Sequence, residues 1–157
     1  MISFTSFSES DTANIACLLA PLLQDGDVVA LSGDLGAGKT FFSQAFIHAL
    51  GIEEIVTSPT FTLLQIYEGS IPIHHFDLYR LENAAELEEI GFNEYTSYGI
   101  SLIEWADKFS AELPVKYLSL SIKRGHAETE RLLLFEPHGS HYETVCKELI
   151  GLVNAGI

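Results

Sequence analysis

The stretch Gly33-Asp34-Leu35-Gly36-Ala37-Gly38-Lys39-Thr40 decides the fold. It spaces a glycine, four free residues and then Gly-Lys-Thr, the pattern of a loop that wraps nucleotide phosphates. Glycines admit the positive φ angles that turn successive backbone N–H groups toward an anion. Lys39 supplies a cation, read as exposed and mobile, and Thr40 a hydroxyl for Mg²⁺. The flanks agree with this reading. Val28-Val29-Ala30-Leu31 is an apolar run suited to a buried strand, and Phe41 to Leu50 has helical spacing, so the loop joins a strand to a helix. Gly33, Asp34, Leu35, Gly36, Ala37, Gly38, Lys39, Thr40 and Phe41 are therefore the first candidate nucleotide contacts.

The rest of the composition sets bounds. A chain of 157 residues with 47% hydrophobic side chains suits one domain with a genuine core. Twenty-two acids against eight Lys+Arg give a net charge of −14, unfavourable for any surface that must neutralise nucleic-acid phosphates alone. Direct binding of RNA or DNA is not expected. Lys39 and Arg80 are two of the eight cations, and both fall in segments that carry functional signals. Cys17 and Cys146 fit no metal-ligand spacing and suit a reduced compartment, as small buried hydrophobes. The N-terminal residues show neither a basic segment nor a long apolar run, so no signal peptide or membrane span is expected and the location implied is cytoplasmic.

Taken in order, Ile2 to Phe7 alternates as a half-exposed strand, and Ser8-Glu9-Ser10-Asp11 starts a helix carrying Ile15, Leu18, Leu19 and Leu22. The turn Gln24-Asp25-Gly26-Asp27 is placed near the sheet's carboxyl edge, where a base could be held. Glu9 and Thr12 are candidates for base contact, against helix capping and first-turn charge. Thr57-Ser58-Pro59-Thr60 is too polar for core; its hydroxyls, Thr60 foremost, can sense a terminal phosphate or serve a plain proline turn. Phe61 to Tyr67 and Ile71 to Phe76 read as a hairpin across Glu68-Gly69-Ser70, which makes the sheet mixed.

Two acids then close apolar strands. Asp77 ends His74-His75-Phe76, and Glu104 ends Gly99-Ile100-Ser101-Leu102-Ile103, with Trp105 following. Carboxylates there can hold Mg²⁺ or orient water, so Lys39, Asp77 and Glu104 are the catalytic candidates and Thr40, Asp77 and Glu104 the metal candidates. Helix capping competes for Asp77, and an exposed strand end for Glu104. His74 and His75 point to opposite faces of a strand and are read as structural. An acidic helix is expected from Asn83 to Gly91, strands over Tyr117–Ile122 and Arg131–Phe135, and a last helix from about Tyr142 to Val153.

Gly33–Thr40, Ser58-Pro59-Thr60-Phe61, His75-Phe76-Asp77-Leu78-Tyr79-Arg80 and Ile103-Glu104-Trp105 together resemble the TsaE family, bacterial ATPases of tRNA threonylcarbamoyladenosine biosynthesis. The resemblance implies a single small P-loop NTPase domain of α/β class, with a mixed, mostly parallel sheet flanked by helices. It also implies slow ATP hydrolysis outside an assembly with TsaB and TsaD subunits, and Mg²⁺ held at Thr40 and Glu104. Phe41 replaces a second hydroxyl usual in relatives, and Gln44 an arginine, which implies weaker α-phosphate anchoring. A small-molecule P-loop kinase is the rival enzyme reading, disfavoured because Arg124 and Arg131 lie late in the chain. A guanine-nucleotide switch is the rival binding-module reading, disfavoured because no Asn-Lys-x-Asp segment is present.

Overall fold

Val28, Val29, Ala30 and Leu31 offer no polar face, so a strand made of them needs cover on both sides. In the computed structural model, which describes residues 1–156, they form β2 (Val28–Ser32) and all four are buried. Val29 and Leu31 enter one core with Leu19, Phe42 and Phe46, whereas Val28 and Ala30 enter a second with Phe76, Phe92 and Ile103. Each larger aliphatic or aromatic side chain so buried contributes about 1.5–3 kcal/mol.

β2 is flanked by parallel strands β5 (Ile100–Glu104) and β6 (Tyr117–Arg124), and β4 (Ile73–Asp77) lies parallel to β5. Antiparallel strands finish the sheet: β7 (Arg131–His138) then β1 (Ile2–Ser6) beyond β6, and β3 (Leu64–Tyr67) beyond β4. The order is β1-β7-β6-β2-β5-β4-β3, a mixed sheet with a parallel centre. Helices α1 (Glu9–Leu19), α2 (Lys39–Ala49) and α5 (Ser140–Asn154) cover the first core, and the short α3 (Ala85–Glu89) and α4 (Phe92–Tyr95) the second. Register sets Leu31 beside Glu104 and Glu104 beside Asp77, so both acids meet the loop at the carboxyl edge. Open α/β sheets take their ligands at that edge.

Several expectations need correction. The turn before β2 lies at the opposite, amino edge, because it precedes the strand that the phosphate loop follows. Gly26 N–H donates to Gly99 O at 2.7 Å and Gly99 N–H to the Asp25 carboxylate at 2.6 Å, so this turn is tied to the residue before β5, at the edge away from the phosphate loop. Behind it, Asp27 accepts from His141 Nε2 at 2.8 Å and from the Tyr142 hydroxyl at 3.4 Å, which ties α5 to the start of β2. The acidic helix is shorter than expected, Ala85–Glu89, though it does end at Gly91, whose φ of +73° also starts the separate short α4. β3 begins at Leu64 instead of Phe61, because Leu63 N–H closes a turn onto Pro59 O at 2.6 Å. Cys146 is buried as expected, but Cys17 is exposed. No helix among the described residues is long and apolar enough to cross a membrane.

Candidate functional site

The loop leaves β2 at Gly33 and enters α2 at Lys39. A Cβ on Gly33 would stand 2.4 Å from Ile122 O, and its φ is +146°, so only glycine fits. Gly38 precedes α2 with φ +114° and leaves that terminus without a side-chain cap. The first N–H groups of α2 therefore remain for a phosphate.

Lys39 is not the exposed cation expected from sequence; it is 5% accessible. Its Nζ donates to Gly33 O at 2.6 Å and Asp34 O at 2.9 Å, and sits 4.0 Å from the centre of the Trp105 ring. Burial pushes its pKa below the usual lysine value, while Glu104, Asp77, Asp107 and Asp34 pull the other way. Trp105 reaches this position with φ +60° and ψ 33°, a conformation that costs a bulky residue energy and marks functional sites.

Thr40 Oγ1 donates to Glu104 Oε1 at 2.9 Å, and His75 Nε2 donates to Glu104 Oε2. Asp77 Oδ2 accepts from Thr60 Oγ1 at 2.8 Å and Ser58 Oγ at 3.3 Å, and its Oδ1 takes the Tyr79 N–H at 2.9 Å. Asp77 thus serves both readings: it fixes the turn after β4 and holds the hydroxyl loop. Lys39, Thr40, Thr60, Asp77 and Glu104 line one cavity of about 250 Å³. Across the loop, Glu9 and Thr12 line a second, of about 340 Å³, which shares Gly36, Gly38 and Phe41 with the first and adds Ala37 and Arg131. Leu35 is exposed at the loop tip and borders the first cavity, and Asp34 borders a separate groove with Arg124. Ser8, not Glu9, caps α1, accepting Asp11 N–H at 3.1 Å; the Thr12 hydroxyl is paired with Ser6 Oγ at 2.6 Å.

Arg80 is exposed, stacks on Phe61 at 4.9 Å and lines neither cavity. The arginines that meet the loop are those set aside as late in the chain. Arg124 Nη2 donates to Leu35 O at 3.1 Å and Arg131 Nε to Ala37 O at 2.9 Å, because β6 pairs with β2 and β7 lies next beyond β6. Sequence distance hid them. His75 was missed as a site residue, although strand alternation sets it on the same face as Asp77. The two histidines do diverge, since His74 Nδ1 bonds Tyr95 O at 2.8 Å.

Fold, loop and paired strand-end acids define a phosphate-loop α/β domain. The family profile described as threonylcarbamoyl adenosine biosynthesis protein TsaE matches residues 6–133, and the chain belongs to that family, whose members serve biosynthesis of the modified tRNA nucleoside. It is 41% identical over 150 residues to the Bacillus subtilis tRNA threonylcarbamoyladenosine biosynthesis protein TsaE, covering 94% of this chain and 93% of that one. It is 40% identical over 119 residues to the Treponema pallidum protein of the same name, covering 75% and 88%. The crystal structure of Bacillus subtilis YdiB superposes with a TM-score of 0.80 at 37% identity, over 94% of this chain and 93% of that one.

Proposed function

We propose that the chain is an Mg²⁺-dependent ATPase that binds ATP along Gly33–Thr40 and hydrolyses it in association with TsaB and TsaD subunits during threonylcarbamoyladenosine formation. The observation that carries this is the Thr40–Glu104 pair beside Asp77 at the mouth of the loop. Those oxygens fit Mg²⁺, which takes one or two protein ligands and completes its shell from phosphate and water. Bound there, the ion would neutralise charge developing on the transferred phosphoryl group.

The chain's own residues supply the rest. The α2 N-terminus and Lys39 neutralise phosphate charge, with Lys39 exchanging its loop carbonyls for phosphate oxygens. Glu104 or Asp77 orients the attacking water and receives its proton. Trp105 and Tyr79, whose rings lie 4.9 Å apart, wall the cavity. Glu9, Thr12 and Phe41 border the space left for base and ribose, and Thr60 couples the hydroxyl loop to Asp77. A kinase reading is weaker because Arg124 and Arg131 are bonded to loop carbonyls and do not line the Asp77–Glu104 cavity.

The test is nucleotide binding with ATP and GTP, with and without Mg²⁺, followed by sedimentation with TsaB and TsaD in ATP and in ADP. Mg²⁺-dependent ATP binding and nucleotide-dependent association are expected. The −14 charge predicts negligible binding of isolated tRNA at physiological salt. Tight tRNA binding by the chain alone would overturn the reading.

A further inference from the structure

Glu104 is 2% accessible, and both of its oxygens already have donors: Thr40 on Oε1 and His75 on Oε2. His75 is fully buried on β4, and its other ring nitrogen, Nδ1, has no partner. Along the strand it shares a face with Ile73, which belongs to the apolar core. Packing alone gives no reason for a histidine here, since a leucine would fill the site without stranding a polar atom. The imidazole has one visible use, its bond to Glu104.

A glutamate at a strand end can rotate its carboxylate plane with little resistance, because the terminal torsion has a broad, two-fold profile. One donor on each oxygen removes that freedom. Asp77 is held differently, by Thr60, Ser58 and the Tyr79 N–H, so the two acids have separate supports. We propose that His75 is a positioning residue that fixes the Glu104 carboxylate so that Oε1 faces Thr40. In the MgATP reading above, on which this inference rests, that orientation presents the oxygen toward the ion Thr40 and Glu104 would share. A carboxylate oxygen accepts, so the ring donates to it through Nε2. Partners that orient a ligand in this way are worth about 10–100-fold in metal affinity or activity.

The test compares wild type, His75→Leu and His75→Gln, whose amide N–H can still reach the carboxylate. A fluorescent ATP analogue is titrated at rising Mg²⁺ and without metal, thermal melts report folding, and ¹⁵N spectra of the protein alone report the His75 ring. The expected results are an Mg²⁺ midpoint raised about 10–100-fold in His75→Leu, unchanged metal-free nucleotide affinity, a lower kcat at near-constant KM, rescue in His75→Gln, and a proton on Nε2. If His75→Leu does not fold, His75→Gln and the ring spectrum decide. A folded His75→Leu with a wild-type midpoint overturns the proposal, as does a ring spectrum with no proton on Nε2. Absence of Mg²⁺-dependent nucleotide binding in wild type would instead overturn the MgATP reading and the ion's part in the proposal, while the ring spectrum still decides whether His75 holds Glu104.

Discussion

Replacing Lys39 by methionine separates the two roles of its ammonium, because the stem remains and only the charge goes. Two opposing effects bear on folding. The bonds to Gly33 O and Asp34 O are each charge-assisted, a type that contributes about 1.5–3 kcal/mol. Against them stands burial, which lowers the lysine pKa despite four nearby acids, so the fold disfavours the charge on balance. Gly33 and Asp34 line the open groove beside Arg124, from which water can reach the freed carbonyls. The two effects therefore oppose each other, and a net destabilisation smaller than one such bond, below about 3 kcal/mol, is expected, a Tm fall of less than about 10 °C at this chain length. Nucleotide binding has no such compensation. For wild type, ATP at 100 times Kd stabilises by about 2.7 kcal/mol, whereas Lys39→Met should lose that ligand-induced rise. Scanning both proteins with and without MgATP measures each part. A retained ligand shift would refute the phosphate-loop assignment, and a Tm fall beyond about 10 °C without nucleotide would show that Lys39 is mainly structural. The pH dependence has a definite sign. The folded pKa lies below 10.5, so the unfolded chain holds more protons between the two values. The stability of wild type relative to Lys39→Met should accordingly rise as pH climbs through that window.

Glu104→Gln should lower ATP turnover about 10²-fold while changing nucleotide affinity much less, because the lost charge matters most as phosphoryl transfer develops; a fully active variant in the assembled complex would reduce Glu104 to a strand-end residue. Asp77→Asn keeps an acceptor for the Tyr79 N–H and should also slow turnover with the fold preserved, as circular dichroism and steady-state rates would report. Tyr142→Phe should destabilise by about 1–3 kcal/mol by stranding the Val28 N–H that its hydroxyl accepts at 3.0 Å, with ATP binding unchanged. Burial first, then Asp27, pushes the Tyr142 pKa up to about 12. The folded chain thus holds the extra proton between pH 10 and that value, and the advantage of wild type over Tyr142→Phe should shrink across the interval in denaturant melts.

The parts of the fold legible in sequence were those set by local rules. The central strand follows from four apolar residues in a row, the loop from its glycines, and the α1 start from Ser8. Asp77 and Glu104 were legible because an acid closing an apolar strand has one edge to go to. Residues supplied by neighbouring strands were not. Arg124 and Arg131 reach the loop only because β6 pairs with β2 and β7 with β6, and spacing of 85 or more positions from Lys39 carries no signal of that. Burial of Lys39 was invisible for a related reason: the indole above its Nζ arrives through a left-handed Trp105 that no propensity scale predicts.

The charge distribution also changes meaning once the contacts are placed. As a bulk property, −14 speaks only against polyanions. In the fold, Lys39, Arg124 and Arg131, three of the eight Lys and Arg side chains, donate to carbonyls of Gly33, Asp34, Leu35 and Ala37. A tight glycine loop exposes carbonyls that no ladder can satisfy, and each needs a donor. Cations are concentrated there, while acids gather on the facing strand ends at Asp77 and Glu104. The edge is therefore split by sign: a cationic loop suited to phosphate faces a carboxylate pair suited to a divalent ion. Such a site is suited to a compact polyphosphate, whereas a polynucleotide needs many cations along one surface, and a chain with eight Lys and Arg, three of them committed to the loop, has few to offer.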